Sequence, residues 1–559
     1  MKKLTIAILV LFIAGTAFAQ QTATSKMEGK VLDATGAPLP GVSVEATSPK
    51  LVGKATAVTD GDGTYRLFSL PSGTYEVVFS LQGFKTLIRQ NIIVQLSTTV
   101  TLNVTLDQAA IEEQVTVVGQ SPLIDVKSTV KGQTMTKEVF MSLPRSRNFD
   151  GLLSTVPGVQ YEGNTGGLSV DGATGTENMW YMDGTDITQG HIGTRGQSAV
   201  MEMVEEVKVT ASGYNAEFGG SMGGVVNVIT RSGGNAFHGD IMAYYNDNNI
   251  LMQGKSRDYL RWSPYDDNLA EFVNDDDLYW AGGKKRDDYK RFEGVFNLGG
   301  YIIKDRLWFF GSFNPQYSRT YGVRGFLSDD NPEPGEDPSL DNVPRYTFYR
   351  KDFVWNGQMK LTAAPFKGMR VSASFVNNWS NYRGEIPSIN GTSSKTYGGW
   401  GLSAWNRAGY DYPNMSAAVM FDYSASNNFL ISARAGYAMS NTKNQQIGND
   451  FTTYYNNTSS YVYDGVIDDS LLFYTGAINY SGSRTVLQRQ KIEKYSSNVD
   501  LSYYVSLGGE HAWKAGAQLI RDQEDYANSA AYPMVNLYWD RSCSALTAYG
   551  VPTFRGTYG

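Results

Sequence analysis

Few residues in this sequence are placed to do chemistry. The histidines His191, His238 and His511 and the single Cys543 are scattered along 559 residues. No nitrogen and sulfur ligand set at zinc spacing results, and no intramolecular disulfide is possible. Asp60 and Asp62 resemble the start of a calcium loop, but the later oxygen ligands and distal Glu of an EF-hand are missing. Asp60–Gly63 reads instead as a hairpin turn. The acidic stretch Asp329–Asp337 has carboxylates suited to calcium, yet its Pro and Gly content reads as a solvated external loop. Gly219, Gly220, Gly223 and Gly224 have the density of a phosphate cradle, which needs a helix behind it and a Lys at its end. The β-branched Val225–Thr230 that follows is a strand, so nucleotide binding is excluded. No nucleophile, base and orienting group stand together, and the sequence assigns no catalytic residue, metal or cofactor. Binding chemistry remains. The run Glu113, Gln114, Val115, Thr116, Val117 follows an acidic approach and can add its main chain to the edge of a partner's sheet, with the last strand of the preceding unit as the alternative. The rings of Tyr454, Tyr455, Tyr461 and Tyr463 can stack on sugars or pack loops together.

The elements that position these groups are β-rich. Length alone predicts about three or four domains. Lys and Arg number 48 against 55 Asp and Glu, a net charge of −7, so no basic footprint points to nucleic acid. Charged residues make up 18% of the chain, where soluble proteins carry about 25%; 36 Tyr, 25 Phe and 10 Trp leave a surface poor in charge and rich in rings. Residues 1–19 read as a cleaved signal peptide: Lys2 and Lys3, the apolar Leu4–Gly15, then Ala17, Phe18 and Ala19. Position 20 is Gln, so no lipid anchor is indicated. No later apolar run reaches the roughly 18 residues of a membrane helix. The protein is then either a soluble export or a β-barrel.

Residues 27–106 carry short β-branched runs between Gly, Pro and Asp turn signals, the pattern of a small β-sandwich. Beyond Phe237 a period of two takes over. Phe353, Trp355, Met359 and Leu361 alternate with Asn356, Gln358, Lys360 and Thr362; Val371, Ala373, Phe375 and Trp379 alternate with Ser372, Ser374 and Asn378. Nine strands are expected, near 237–247, 288–301, 306–319, 346–362, 369–380, 415–424, 429–440, 494–505 and 511–523. Their connectors alternate long and short, the habit of outer-membrane barrels, whereas a soluble sandwich has no reason to put every long loop at one end. Trp308, Trp355, Trp379 and Trp513 are suited to interfacial girdles.

Two stretches also resemble known families. Gly29, Val31, Asp33, Gly36, Pro38–Val42, Thr59, Asp60, Gly63, Tyr65, Leu70, Pro71, Gly73 and Tyr75 are similar to the carboxypeptidase regulatory-like (transthyretin-like) domain, which implies an accessory sandwich without catalytic residues. Glu113–Val117 looks like a TonB box. Leu143–Arg145, Arg147, Phe149, Val156–Val159, Val170–Gly172, Met182–Gly184, Val204–Val209, Asn215–Gly219 and Gly223–Thr230 then follow in the order of the plug of TonB-dependent receptors. The resemblance implies a mainly β protein: signal peptide 1–19, sandwich 27–106, linker with TonB box 107–120, small α/β plug 121–234, and at 235–559 the first part of a large antiparallel transmembrane β-barrel. Such barrels have about 22 strands when complete, so the sequence reads as an N-terminal fragment. Arg145, Arg147, Asp171 and Asp183 would hold plug turns or plug-to-wall contacts, with Gly219, Gly223 and Gly224 structural. The implied function is active uptake of an oligosaccharide or oligopeptide across the Gram-negative outer membrane. A TonB-type energising protein, outer-membrane lipid, the glycan or peptide ligand and a surface lipoprotein would be the partners. An Oar-like adhesion or assembly protein without import is the alternative.

Overall fold

The computed structural model of the chain describes residues 25–51, 53–96, 98–108, 114–118, 130–143, 147–162, 167–189, 193–214, 220–248, 259–262, 270–273, 287–325, 345–384, 386, 409–444, 452–456, 477–480, 486–506, 510–530 and 534–538. The signal stretch, His191, the acidic loop at 329–337 and Cys543 lie outside them.

The first unit is a sandwich of two sheets. One contains β1 (Ser25–Asp33), β4 (Thr64–Leu70), β7 (Thr99–Thr101) and β8 (Val104–Leu106). The other runs in the order β3 (Ala55–Val58), β2 (Ser43–Thr47), β5 (Gly73–Ser80), β6 (Thr86–Val94), β9 (Gln114–Val118). Alternate residues such as Val44, Ala46, Tyr75, Val77 and Phe79 point into the shared core beside Val31, Tyr65 and Leu67. Tyr65 and Tyr75 are buried with their hydroxyls donating to Leu102 O at 2.8 Å and Pro71 O at 2.7 Å, so neither polar end is orphaned. The Asp60–Gly63 turn is not a hairpin. It hands the chain from β3 in one sheet to β4 in the other, and the Asp60 carboxylate accepts from the N–H groups of Asp62 and Thr64 at 3.1 and 2.9 Å. The turn chemistry was legible; which strands it joins depends on the core each strand faces.

The second unit is a mixed sheet in the order β10 (Lys131–Thr136), β15 (Val204–Ser212), β16 (Val225–Thr230), β13 (Met179–Met182), β14 (Thr185–Asp186). The short helices α1 (Lys137–Ser142) and α2 (Asp150–Leu153) and the hairpin of β11 (Val159–Tyr161) and β12 (Leu168–Val170) accompany it. Its core gathers Phe149, Leu152, Trp180, Met182, Val207, Val209, Val226 and Val228.

The third is one continuous antiparallel sheet of nine strands: β17 (His238–Asp247), β20 (Asp288–Ile303), β21 (Leu307–Gly325), β22 (Arg345–Ala363), β23 (Met369–Arg383), β24 (Gly409–Ser426), β25 (Phe429–Asn444), β28 (Val486–Ser506) and β29 (Glu510–Ala530). Residues 304–306, 364–368 and 427–428 make short turns, β28 and β29 lie three residues apart in sequence, and 248–287, 326–344, 384–408 and 445–485 separate the other consecutive strands. Two small sheets are formed by β18 (Tyr259–Trp262) with β19 (Ala270–Val273), in the connection after β17, and by β26 (Thr452–Asn456) between β27 (Ala477–Tyr480) and β30 (Met534–Tyr538), from the connection after β25 and beyond β29.

Burial inverts the rule for soluble sheets. On β22, Phe353, Trp355, Met359 and Leu361 are 38–67% exposed, while Asn356, Gln358, Lys360 and Thr362 are no more than 4% exposed. Among the described residues nothing covers the apolar face, and the polar face packs on the second unit, as lipid outside and a filled polar lumen inside require. Trp355 and Trp379 sit opposite each other on the outer face, and Trp513 is also exposed. Trp308 departs from the girdle reading. Its register partner is Thr362 on the lumen face, so its ring is buried and donates Nε1–H to Asn235 Oδ1 at 2.8 Å. Met359→Arg should cost about 2–4 kcal/mol if its position lies near the bilayer midplane. The check is the fraction of heat-modifiable, folded protein recovered in outer-membrane preparations; wild-type recovery would mean that this face does not meet lipid.

Candidate functional site

The functional geometry lies where the second unit meets the nine-stranded wall. Its β13–β14 hairpin turns through Asp183 and Gly184 at φ +47° and +77°, the pair of left-handed residues a two-residue hairpin needs and the reason an Asp-Gly pair occupies the tip. The tip is driven into the wall. Lys360 Nζ on β22 donates to Asp183 Oδ1 at 2.8 Å and to Thr230 O at 3.1 Å, while Thr230 donates N–H and Oγ–H to the same carboxylate at 3.1 and 2.5 Å. Burial by itself pushes the Asp183 carboxyl up, but the Lys360 charge and these hydrogen bonds outweigh it and hold the group below the ordinary carboxylate range. Three residues on, Asp186 meets Lys494 Nζ of β28 at 2.8 Å, again with both groups buried. Between the two, Arg434 of β25 pairs with Asp422 of β24 at 3.1 Å beneath Gly184.

A second junction ties the other flank. Arg147 Nη2 contacts Glu202 Oε1 at 2.5 Å within the unit and Glu293 Oε1 on β20 at 2.9 Å. Its guanidinium lies 3.7 Å from the Tyr244 ring centre on β17, and the Tyr244 hydroxyl donates to Glu202 at 3.1 Å. Elsewhere the contact is made by amides: Gln197 Nε2 donates to Val376 O and Gln358 Nε2 to Arg231 O, each at 2.9 Å.

Asp171 caps an Asp-Gly turn at φ +50° and pairs with Lys131 at 2.7 Å, inside the unit and away from the wall. A Cβ on Gly223 would fall 2.6 Å from Asn178 Oδ1, and one on Gly224 2.7 Å from Val170 Cγ1, while Gly224 N–H donates to Asn178 Oδ1 at 2.7 Å. These glycines make room for the Asn178 and Val170 side chains. Gly224→Ala should destabilise the unit by about 1–3 kcal/mol through overpacking; an unchanged urea midpoint for its unfolding would refute that packing role. Arg145, Gly219, Glu113, Tyr461 and Tyr463 lie outside the described residues, and Tyr454 and Tyr455 lie on β26. Sequence reasoning missed Lys360, Lys494, Glu293 and Glu202 as partners. The available signal was an isolated charge on the polar face of a barrel strand. Among the described residues no group of three or more His, Cys, Asp and Glu could hold a metal.

The sandwich meets the wall at the end that carries the short turns. Asn427 Nδ2 donates to Val58 O at 2.7 Å and Arg66 donates to Asn428 Oδ1 at 3.2 Å, both at the β24–β25 turn. Phe68 packs on Tyr504 near the end of β28, ring centres 5.3 Å apart. Toward the second unit, Lys50 pairs with Glu205, and Leu96 N–H donates to Glu206 Oε1 at 2.7 Å. Burial pushes the Glu206 carboxyl up, partly countered by Ser72 and Leu96. A cavity of about 40 Å³ marks the three-way seam, too small for a ligand. Gln114–Val118, the strand of the sheet-adding run, lies along β6 in parallel register, Leu87 opposite Val115 and Ile88 opposite Thr116, at the outer edge of the five-stranded sheet.

A sandwich, then a small mixed domain fixed by charge inside a lipid-facing wall, is the arrangement of a plugged outer-membrane receptor. The carboxypeptidase regulatory-like domain family matches residues 26–107 and the TonB-dependent receptor plug domain family residues 125–225. The chain thus joins these two domains in that order. It is 34% identical over 325 residues to the TonB-dependent transporter Oar of Myxococcus xanthus, covering 56% of this chain and 28% of that protein. With the ferrienterobactin receptor of Escherichia coli strain K12 it shares 29% identity over 133 residues, 20% of this chain and 18% of that one. The matches therefore span less than a third of these relatives' own length. Among solved structures, the outer membrane transporter YddB from Escherichia coli aligns with a TM-score of 0.49 and 15% identity, over 72% of this chain and 50% of that chain.

Proposed function

We propose that this protein is an active outer-membrane importer of a large nutrient, an oligosaccharide or oligopeptide, energised when Glu113–Val117 pairs as a strand with a TonB-type protein. The observation that carries the reading is the charged, buried fit of plug to wall around Asp183 and Asp186. A lumen so filled is no passive pore, and opening it takes work delivered from outside the barrel. A β-branched strand at the edge of a sheet is a suitable place to deliver it. The sandwich ahead of the plug favours glycan or peptide cargo over small chelates, and Tyr454 and Tyr455, in the long connection after β25, are the candidate stacking surface, with a surface lipoprotein as a further partner.

The test is deletion of residues 113–117, read out with fluorescent oligosaccharides and oligopeptides offered to whole cells. Loss of uptake with surface binding retained is the expected result. Undiminished uptake refutes the importer reading, and a change confined to adhesion or secretion would identify an assembly protein in its place.

A further inference from the structure

The sandwich sits at the short-turn end of the wall, against both plug and wall. It holds the plug through Lys50 and Leu96 and meets the wall at one patch, the β24–β25 turn at Asn427 and Asn428 and the neighbouring Tyr504 of β28. Displacing the plug alone would leave the sandwich attached to the wall at this end. The same sandwich also holds the TonB-box strand, because β9 is paired along β6 and is the terminal strand of its sheet, so its other edge carries no strand among the described residues. We propose that the sandwich is a gate over the short-turn mouth of the barrel, and that the β6–β9 ladder is the handle by which the energising protein lifts it. This rests on the importer reading above and adds to it where the force first acts.

The two attachments differ in how they meet a pull. The ladder keeps five consecutive residues, Gln114–Val118, in parallel register with Thr86–Gln90, so tension along β9 loads its bonds in shear and together. The seam consists of side-chain contacts at two places, Lys50 and Leu96 on the plug and a patch at Asn427, Asn428 and Tyr504 on the wall met by Val58, Arg66, Phe68 and Lys26, which a pull from one side breaks in succession. Polar, discontinuous interfaces between domains are the ones that move. A partner strand adding to the open edge of β9 therefore takes the sandwich with it, and the seam opens before the ladder does.

Two cross-links in a Cys543→Ser background of the full-length receptor separate the possibilities. Ile88→Cys with Thr116→Cys ties the box to the sandwich by a disulfide. Val58→Cys with Asn427→Cys, bridged by a short, reductant-cleavable bis-maleimide, ties the sandwich to the mouth. Receptors in nanodiscs are pulled singly through the bound periplasmic domain of a TonB-type protein. The box-to-sandwich link should leave partner capture and the first release event unchanged. The sandwich-to-mouth link should eliminate that first event, and reductant should restore it. A first event that survives the mouth link, or that disappears with the ladder link, overturns the gate. Deletion of residues 114–118 tests the underlying reading separately: capture that persists without them overturns the box assignment, and the handle with it.

Discussion

Lys360→Met should unseat the plug hairpin, with a penalty of about 3–5 kcal/mol, because it strips the lysine from a carboxylate buried at the barrel wall. At roughly tenfold per 1.4 kcal/mol, the displaced population rises by about two to four orders of magnitude. Vancomycin, too large for an intact outer membrane, provides the readout as increased killing of cells making the variant. Asp183→Asn added to Lys360→Met should recover most of the closure. It removes the stranded charge, keeps an acceptor for Thr230, and places at φ +47° one of the few residue types besides Gly that visit that region readily. The pH dependence follows from the sign of the shift. In the wild type the Asp183 carboxyl is held below its ordinary range, so its contribution is complete above the unfolded-state value and is lost only as pH falls through the lowered one. In Lys360→Met, burial is left as the main influence and raises the group, so acid neutralises it and relieves the penalty. The variant should leak more at pH 7.5 than at pH 5.5. A leak that is equal at both, or a double variant as permeable as the single one, would show that the lysine acts through shape and not charge.

That pair also marks the limit of what the sequence discloses. Lys360 is visible as the polar member of a period-two run, and its strand at 346–362 is legible to within a residue at each end of β22, because alternation is a local property. Its partner lies 177 residues away in another domain, and the corresponding distance for Lys494 and Asp186 is 308. Such pairs depend on how a whole domain is seated in a wall, which no spacing rule contains. The Asp-Gly tip at Asp183 was likewise readable as a turn, and the resemblance named a plug-to-wall contact among its roles, but Lys360 as its partner was not readable. Trp308 shows the same limit within one strand: ring chemistry suggests an interface, but register with Thr362 turns the ring inward. The Asp60 turn and the β9 strand differ from a local reading for a related reason. In both, local composition specifies a turn or a strand, and the partner strand is chosen by whichever sheet has an edge and a core face to offer.

Arg147 should prove irreplaceable where Lys360 is a point charge. Its guanidinium meets two carboxylates on different domains, Glu202 at 2.5 Å and Glu293 at 2.9 Å, and lies 3.7 Å from the Tyr244 ring centre, within cation–π range. A planar fork serves three partners at once; an ammonium on a flexible stem cannot. Arg147→Ala is expected to cost about 2–3 kcal/mol, below the figure for a fully buried pair because the arginine side chain is 26% exposed. Part of the loss is cushioned, since Glu293 keeps Arg291 at 3.2 Å and Asn314 at 3.0 Å and Glu202 keeps the Tyr244 hydroxyl. Arg147→Lys should regain less than half of it, having charge without reach to both acids and the ring. The urea concentration that releases the plug, followed by protease access to residues 130–230, ranks the three proteins. Release of Arg147→Lys at the wild-type concentration would mean that this flank needs only a positive charge, and that the fork shared by plug and wall contributes nothing to closure.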